Sequence, residues 1–123
     1  MGTTADRERA AGMSANVTRF ENATLITVKD DLAGEGVEAF ATRASACLVE
    51  GVFNLVIECG QVGAIDSAGL EALLDLQDKC EEQFGSVKLC GLDETLVRVL
   101  EITRMIRRFE VFEDVDSAVR SFA

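Results

Sequence analysis

Hydrophobic residues recur along this chain with two alternating periods. Val17 to Phe20 and Thr24 to Lys29 are short β-prone stretches separated by the turn-forming Asn22, which predicts a hairpin. Val37, Phe40, Ala41, Ala44 and Leu48 then fall at helical spacing and form one apolar stripe. Val52 to Cys59 is a compact apolar run of the kind found in buried parallel strands. Leu70, Leu73, Leu74, Cys80 and Phe84 mark a second amphipathic helix ending near Gly85, and Val87 to Cys90 predicts another strand. Leu96, Val99 and Leu100 mark a third helix with Asp93 as its N-cap. Phe109 to Phe112 is a last strand, and Val115, Ala118, Val119 and Phe122 stripe a closing helix.

The predicted order is ββαβαβαβα. Strands that alternate with helices imply right-handed crossovers and a mostly parallel sheet. The expectation is one α/β domain with a mixed four- or five-stranded sheet and helices mainly on one face. Residues 1–14 are small and polar without a period, so they are expected to form a flexible tail before a domain spanning 15–123. Met13 offers a second candidate start. No internal repeat appears, and no proline interrupts any element.

Composition narrows the function classes. A chain of 123 residues builds one hydrophobic core and not two. No apolar run approaches the roughly 20 residues of a membrane-spanning helix, and the start lacks the pattern of a secretion signal. Met1-Gly2 begins like a myristoylation signal, but Asp6 stands where that motif takes Ser or Thr. A cytoplasmic location is expected. Cys47, Cys59, Cys80 and Cys90 form no close pair, whereas zinc and redox motifs place ligands a few residues apart. They are expected to be reduced thiols, mostly in the core. The chain has no histidine, which excludes Ser-His-Asp and Cys-His catalysis and any histidine-ligated metal. A net charge of −10 repels phosphate backbones and anionic membranes. With no Trp or Tyr to stack on bases either, a nucleic-acid partner is not expected. No cofactor is called for, and an acidic surface suits solubility or a partner with a basic face.

In such a sheet, function collects at the carboxyl ends of the strands. Two segments reach that edge: Lys29-Asp30-Asp31-Leu32 after the second strand, and Gly63 to Leu70 after the third. The intervening helix returns the chain to the same side, so Asp30 or Asp31 is expected near Asp66 and Ser67. Asp66 and Ser67 open the second helix, where their side chains can simply accept hydrogen bonds from first-turn amides. A phosphate on Ser67 would use the same physics, resting against unpaired N–H groups and the positive end of the helix dipole. Gly69 fits a place of close backbone approach. Glu71, Asp75, Asp78 and Glu82 form an acidic stripe that reads equally as a solvated or a docking face. Each like-charge pair at i, i+4 costs about 0.2–0.5 kcal/mol, so some compensation is expected. Arg98, Arg104, Arg107 and Arg108 cluster late in the chain and are expected to offset the acidic surface or pair within it.

Ile65-Asp66-Ser67-Ala68-Gly69-Leu70 resembles the Asp-Ser-x-Gly-Leu signature of STAS domains, the bacterial anti-sigma-factor antagonists and their relatives. Val87-Lys88-Leu89-Cys90-Gly91 is similar to the family's strand before the third helix, and Leu100-Glu101-Ile102-Thr103 to the end of that helix. The resemblance covers roughly Ala15 to Ala123. It implies a STAS fold and a switch that is not an enzyme. Ser67 would be phosphorylated by a partner serine kinase that doubles as anti-sigma factor; the unphosphorylated form would bind that partner, and a serine phosphatase would reset the cycle. The implied partner-binding set is Asp30, Asp31, Asp66, Ser67, Ala68, Gly69, Glu71 and Asp75, with a homodimer also possible. Two departures bear on this. The family's Leu-x-Gly-Glu-Leu-Asp stands here as Val28-Lys29-Asp30-Asp31-Leu32-Ala33, so one acidic neighbour is missing and another added. That leaves open whether Ser67 is phosphorylated or the docking surface alone is kept. Arg104 replaces the Gly usual after the third helix, which alters that cap.

Two rival readings differ in mechanism. A two-component receiver domain would use Asp30, Asp31 and Asp66 as a Mg²⁺-binding cluster, but it also needs a lysine after the last strand, which ends here in Phe112-Glu113-Asp114. A constitutive docking subunit of a transport ATPase or stress-signalling complex would use the Ser67 edge without phosphate. A serine hydrolase is excluded by the missing histidine and by the lack of Gly before Asp66-Ser67.

Overall fold

A computed structural model describes residues 15–123; the leading segment, with its expected flexible tail and the Met13 start, lies outside the described residues. Five strands form one sheet in the order β1-β2-β3-β4-β5. They are β1 (Ala15–Arg19), β2 (Thr24–Val28), β3 (Asn54–Glu58), β4 (Ser86–Cys90) and β5 (Glu110–Phe112). The β1–β2 hairpin is antiparallel, with Ala15 opposite Val28, and the remaining pairs are parallel. Helices α1 (Glu35–Val49), α2 (Ser67–Glu82), α3 (Glu94–Ile102) and α4 (Val115–Arg120) follow β2, β3, β4 and β5 in turn, with a 3-10 turn at Met105–Arg108 before β5. This is the order read from the pattern of hydrophobic residues. Among the described residues no helix is long and apolar enough to cross a membrane.

Period-two alternation along the strands sorts the core onto two faces. Ile26, Val28, Leu55, Ile57, Val87 and Leu89 point to one side, where Phe40 of α1, Leu73 and Leu76 of α2, and Leu96 and Leu100 of α3 cover them. Leu25, Val56 and Cys90 point to the other, under Ala118 of α4. Three helices therefore lie on one face and the short fourth on the other. β3 is apolar throughout its centre because it is covered from both sides.

Two buried polar side chains complete the sheet. Gln77, only 2% exposed, reaches from α2 to β4: its Oε1 accepts from Val87 N (2.7 Å) and its Nε2 donates to Val87 O (3.1 Å) and Arg108 O (2.6 Å). The β4–β5 ladder begins only at Lys88 and Glu110, so Gln77 supplies the rung that β5 is too short to make. Lys88 lies on the α4 face, where its Nζ donates to Ser121 Oγ (2.8 Å) and Ser121 O (3.3 Å), lies 3.6 Å from the Glu110 carboxylate and sits 4.1 Å from the centre of the Phe122 ring.

Several expected positions differ. Ala41 is exposed, and Cys47, one turn beyond Ala44, carries the burial further along the helix. Phe84 is fully exposed at φ 64°, because α2 ends at Glu82 and Gly85 turns back towards Phe53. Leu76 and Gln77 carry the burial instead. Arg104 lies at φ 66° directly after Thr103, the C-cap of α3, so the left-handed turn that follows this helix is held here by an arginine. All four cysteines are buried and free.

Candidate functional site

The carboxyl ends of β2 and β3 are knitted together by main-chain groups. Leu32 N donates to Ala64 O (3.0 Å) and Asp66 N donates to Leu32 O (3.1 Å), which extends the parallel pairing as a bridge between Leu32 and Ile65. The Asp31 carboxylate accepts from the amides of Gly63 (2.9 Å) and Ala64 (3.1 Å) through one oxygen. Two glycines permit the approach: a Cβ on Gly69 would strike the Leu32 carbonyl, and a Cβ on Gly36 would strike the Asp31 carbonyl. Substitution at either would force main chain apart.

Asp66 is the N-cap of α2, with Oδ1 accepting from Gly69 N at 2.9 Å. Its other oxygen accepts from Gly34 N at 3.3 Å, the residue that precedes α1. One carboxylate thus spans the starts of two helices. The Gly69 amide, joined by that of Gly34, holds its carboxyl below the usual carboxylate range. Ser67 is the first residue of α2 and is exposed, outside this network.

The candidate residues therefore divide by depth. Asp30, Asp66, Ser67, Ala68, Glu71 and Asp75 are at the surface, whereas Asp31 is half-buried and Gly69 buried. Asp30 accepts from the Asp31 amide (2.8 Å), and Asp75 pairs with Lys79 (2.9 Å). Asp78 pairs with Arg108 (2.6 Å), which also reaches Glu81 (3.2 Å), so part of the acidic stripe is compensated by the arginine cluster. The amides of Gly34, Gly63 and Ala64 were not legible as site groups; the glycines at those places were the only local signal.

Among the described residues no group of three His, Cys, Asp or Glu side chains could hold a metal. The Asp31 and Asp66 carboxylates face main-chain amides, an arrangement unlike the open acidic cluster of a receiver domain. Beneath the corner lies a cavity of about 10 Å³ between Leu32, Ile65, Leu73, Leu89, Leu96 and Leu100. That is room for about one water and not for a substrate.

Residues 14–118 match the model of the STAS domain family, and the chain belongs to that family. A candidate anti-sigma factor antagonist from Thermotoga maritima has the same fold: 17% identity, TM-score 0.84, covering 91% of this chain and 97% of that one. The phosphorylated form of SpoIIAA, a Bacillus cell fate determinant, aligns at 16% identity and TM-score 0.68 over 87% of this chain and 98% of its own. A sulfate transporter family protein from Wolinella succinogenes aligns at 20% identity and TM-score 0.70, over 85% and 87% respectively. Among curated proteins no sequence matches the chain.

Proposed function

We propose that this chain is a reversible protein-binding switch of the anti-sigma-factor-antagonist kind, with Ser67 as its phosphate acceptor. The unmodified form binds a serine kinase that doubles as anti-sigma factor, phosphorylation releases it, and a serine phosphatase restores binding. Catalysis belongs to these partners, and the exchange takes place in the cytoplasm. One observation carries the reading: Ser67 is exposed at the first position of α2, while the carboxylate beside it is committed to amides. A phosphate there adds about −1.5 to −2 charge. The helix start offsets part of it, by about 0.3–1 kcal/mol. A partner covering the same edge must desolvate or repel the added charge, at a cost of several kcal/mol. Binding is lost while the fold is kept.

Asp30, Ser67, Ala68, Glu71 and Asp75 form the surface of the proposed partner site, with Asp31, Asp66 and Gly69 holding it in shape. Calorimetry of enzymatically phosphorylated, unmodified and Ser67→Ala chains against the captured kinase tests the switch. Ser67→Ala is expected to bind like the unmodified chain, and the phosphorylated form to bind at least about tenfold more weakly. Equal affinity of all three forms favours the second reading, a constitutive docking domain, which the replacement at Ala33 and the likeness to a transporter-family STAS domain support.

A further inference from the structure

We infer that the edge of the sheet opposite Ser67 carries a second docking site, built on Phe84 and Val49, for a basic amphipathic helix of a partner protein. Helices that follow parallel strands run back along the sheet, so α1 and α2 both end where β3 and β4 begin. They end in the same way. In α1 the amides of Gly51 and Val52 donate to the carbonyls of Leu48 and Cys47; in α2 those of Phe84 and Gly85 donate to Glu81 and Cys80. Such a turn takes a left-handed residue, and α1 supplies Gly51 at φ 80° whereas α2 supplies Phe84 at φ 64°. The aromatic residue bears a backbone strain that glycine does not, and it is fully exposed, so no burial offsets that strain. Val49, the last residue of α1, is 88% exposed. Neither side chain belongs to the core on either face of the sheet.

Main-chain contacts bring the two helix ends together. Ser86 N donates to Phe53 O (2.9 Å), and Gly85 lies so close that a Cβ on it would strike the same carbonyl. Val52 and Phe53, both half-buried, thus join the end of α1 to the turn at Phe84 with apolar surface. Electrostatics select the occupant. Two helix C-termini direct the negative ends of their dipoles to this edge. α1 has no basic residue in its last turn, and Lys79 of α2 is held by Asp75. Glu50, Glu81 and Glu82 add exposed carboxylates; Arg19 and Arg108 offset the first two of these, and Glu82 adds its charge beside Phe84. Arg104 and Arg107 follow α3 next to the exposed Ile102, which therefore stands outside the site. An apolar strip bordered by carboxylates and helix C-termini fits the apolar stripe of a helix flanked by Lys and Arg. An anionic membrane, by contrast, is repelled by a net charge of −10. Because Ser67 opens α2 and Phe84 follows its end, the two sites lie a helix length apart and can be filled together.

Fluorescence anisotropy of a labelled leucine–lysine amphipathic peptide, about 18 residues long so that it forms a helix, tests this on the full chain. No kinase is needed, so failure here leaves the switch reading standing. Saturable binding of this peptide is expected, and none of a leucine–glutamate peptide of the same pattern. Phe84→Gly and Val49→Ser are each expected to bind at least about tenfold more weakly, whereas Ile102→Ser binds like the unaltered chain. None of the three changes the net charge, so a difference among them reports the apolar site and not general attraction to an acidic protein. Thermal melts separate docking from folding: Phe84→Gly relieves a left-handed residue and is expected to melt no lower than the unaltered chain. Should Phe84→Gly not fold, Val49→Ser against Ile102→Ser carries the comparison. The proposal is overturned by peptide binding that ignores both Phe84 and Val49, by no binding at all, or by a Phe84→Gly chain that melts lower. Self-association that depends on Phe84, or Phe84-dependent sedimentation with phosphatidylcholine–phosphatidylglycerol vesicles, would overturn it too.

Discussion

Asp31 and Asp66 are carboxylates in a surface corner, yet the fold uses both as acceptors for main-chain amides. Asp31→Ala strands the Gly63 and Ala64 amides, which water reaches in part. A loss of about 1 kcal/mol and about 4 °C of melting temperature is expected by thermal denaturation. For Asp66 the folded pKa is depressed, so its contribution to stability is present above the unfolded carboxylate range and drains away as pH falls through the folded value. Asp66→Asn, which still caps a helix, is expected to flatten the acid side of a plot of melting temperature against pH. A steepness unchanged by the substitution would contradict this. Arg104→Gly relieves a left-handed arginine, and urea titration is expected to show a gain of up to about 1 kcal/mol, with extra freedom of the unfolded chain opposing it. The caps were readable in advance because Asp66 and Asp93 act within three residues of themselves. The Asp31 clamp was not: its partners lie 32 and 33 residues away, and no local period encodes them.

Helix α2 connects the Ser67 corner to the far strand through Gln77. Gln77→Leu leaves Val87 N and Val87 O without that partner in the buried interior and removes the part-buried bond to Arg108 O, and a cost of about 2–4 kcal/mol is expected. The Val87 amide should lose hydrogen-exchange protection while the β2 and β3 amides keep theirs; uniform loss would show that the rung is not local. A helical stripe in the sequence indicates a buried face but not where the helix stops. Hence the apolar stripe runs on to Phe84, although the helix ends two residues earlier and leaves that side chain in solvent. Gln77 was invisible for the opposite reason: a polar residue in an apolar stripe is explained only by the missing rung across from it.

The two-faced core gives the molecule unequal halves. Three helices cover one side, whereas the other is closed by α4, six residues long and fastened through Lys88 to Ser121 and Phe122. Burial pushes the thiol of Cys80 up to about 11 and that of Cys90 up to about 12, and raises Cys59 further still. Maleimide labelling of the native chain is therefore expected to be slow at neutral pH. Cys90, which lies in the cluster under α4, should react ahead of Cys80 in the main core, since a short helix opens more readily than that core. Lys88→Met removes the charged fastening to Ser121 and is expected to accelerate Cys90 labelling selectively. Equal acceleration at Cys80 would instead indicate global unfolding. The unbroken apolar run of β3 made a strand covered on both faces readable, but which helix covers which face depends on crossover geometry that residue types do not specify.

The antiparallel pairing of β1 has a practical bearing. Because Ala15 sits opposite Val28, the chain enters the domain at the edge that carries Asp30, Asp66 and Ser67, whereas the closing helix lies on the opposite face of the sheet. An affinity handle, fluorophore or surface anchor joined ahead of Ala15 would crowd the very corner whose binding is to be measured. One joined after Ala123 would leave that corner clear, and binding assays on this domain are best read from chains tethered there.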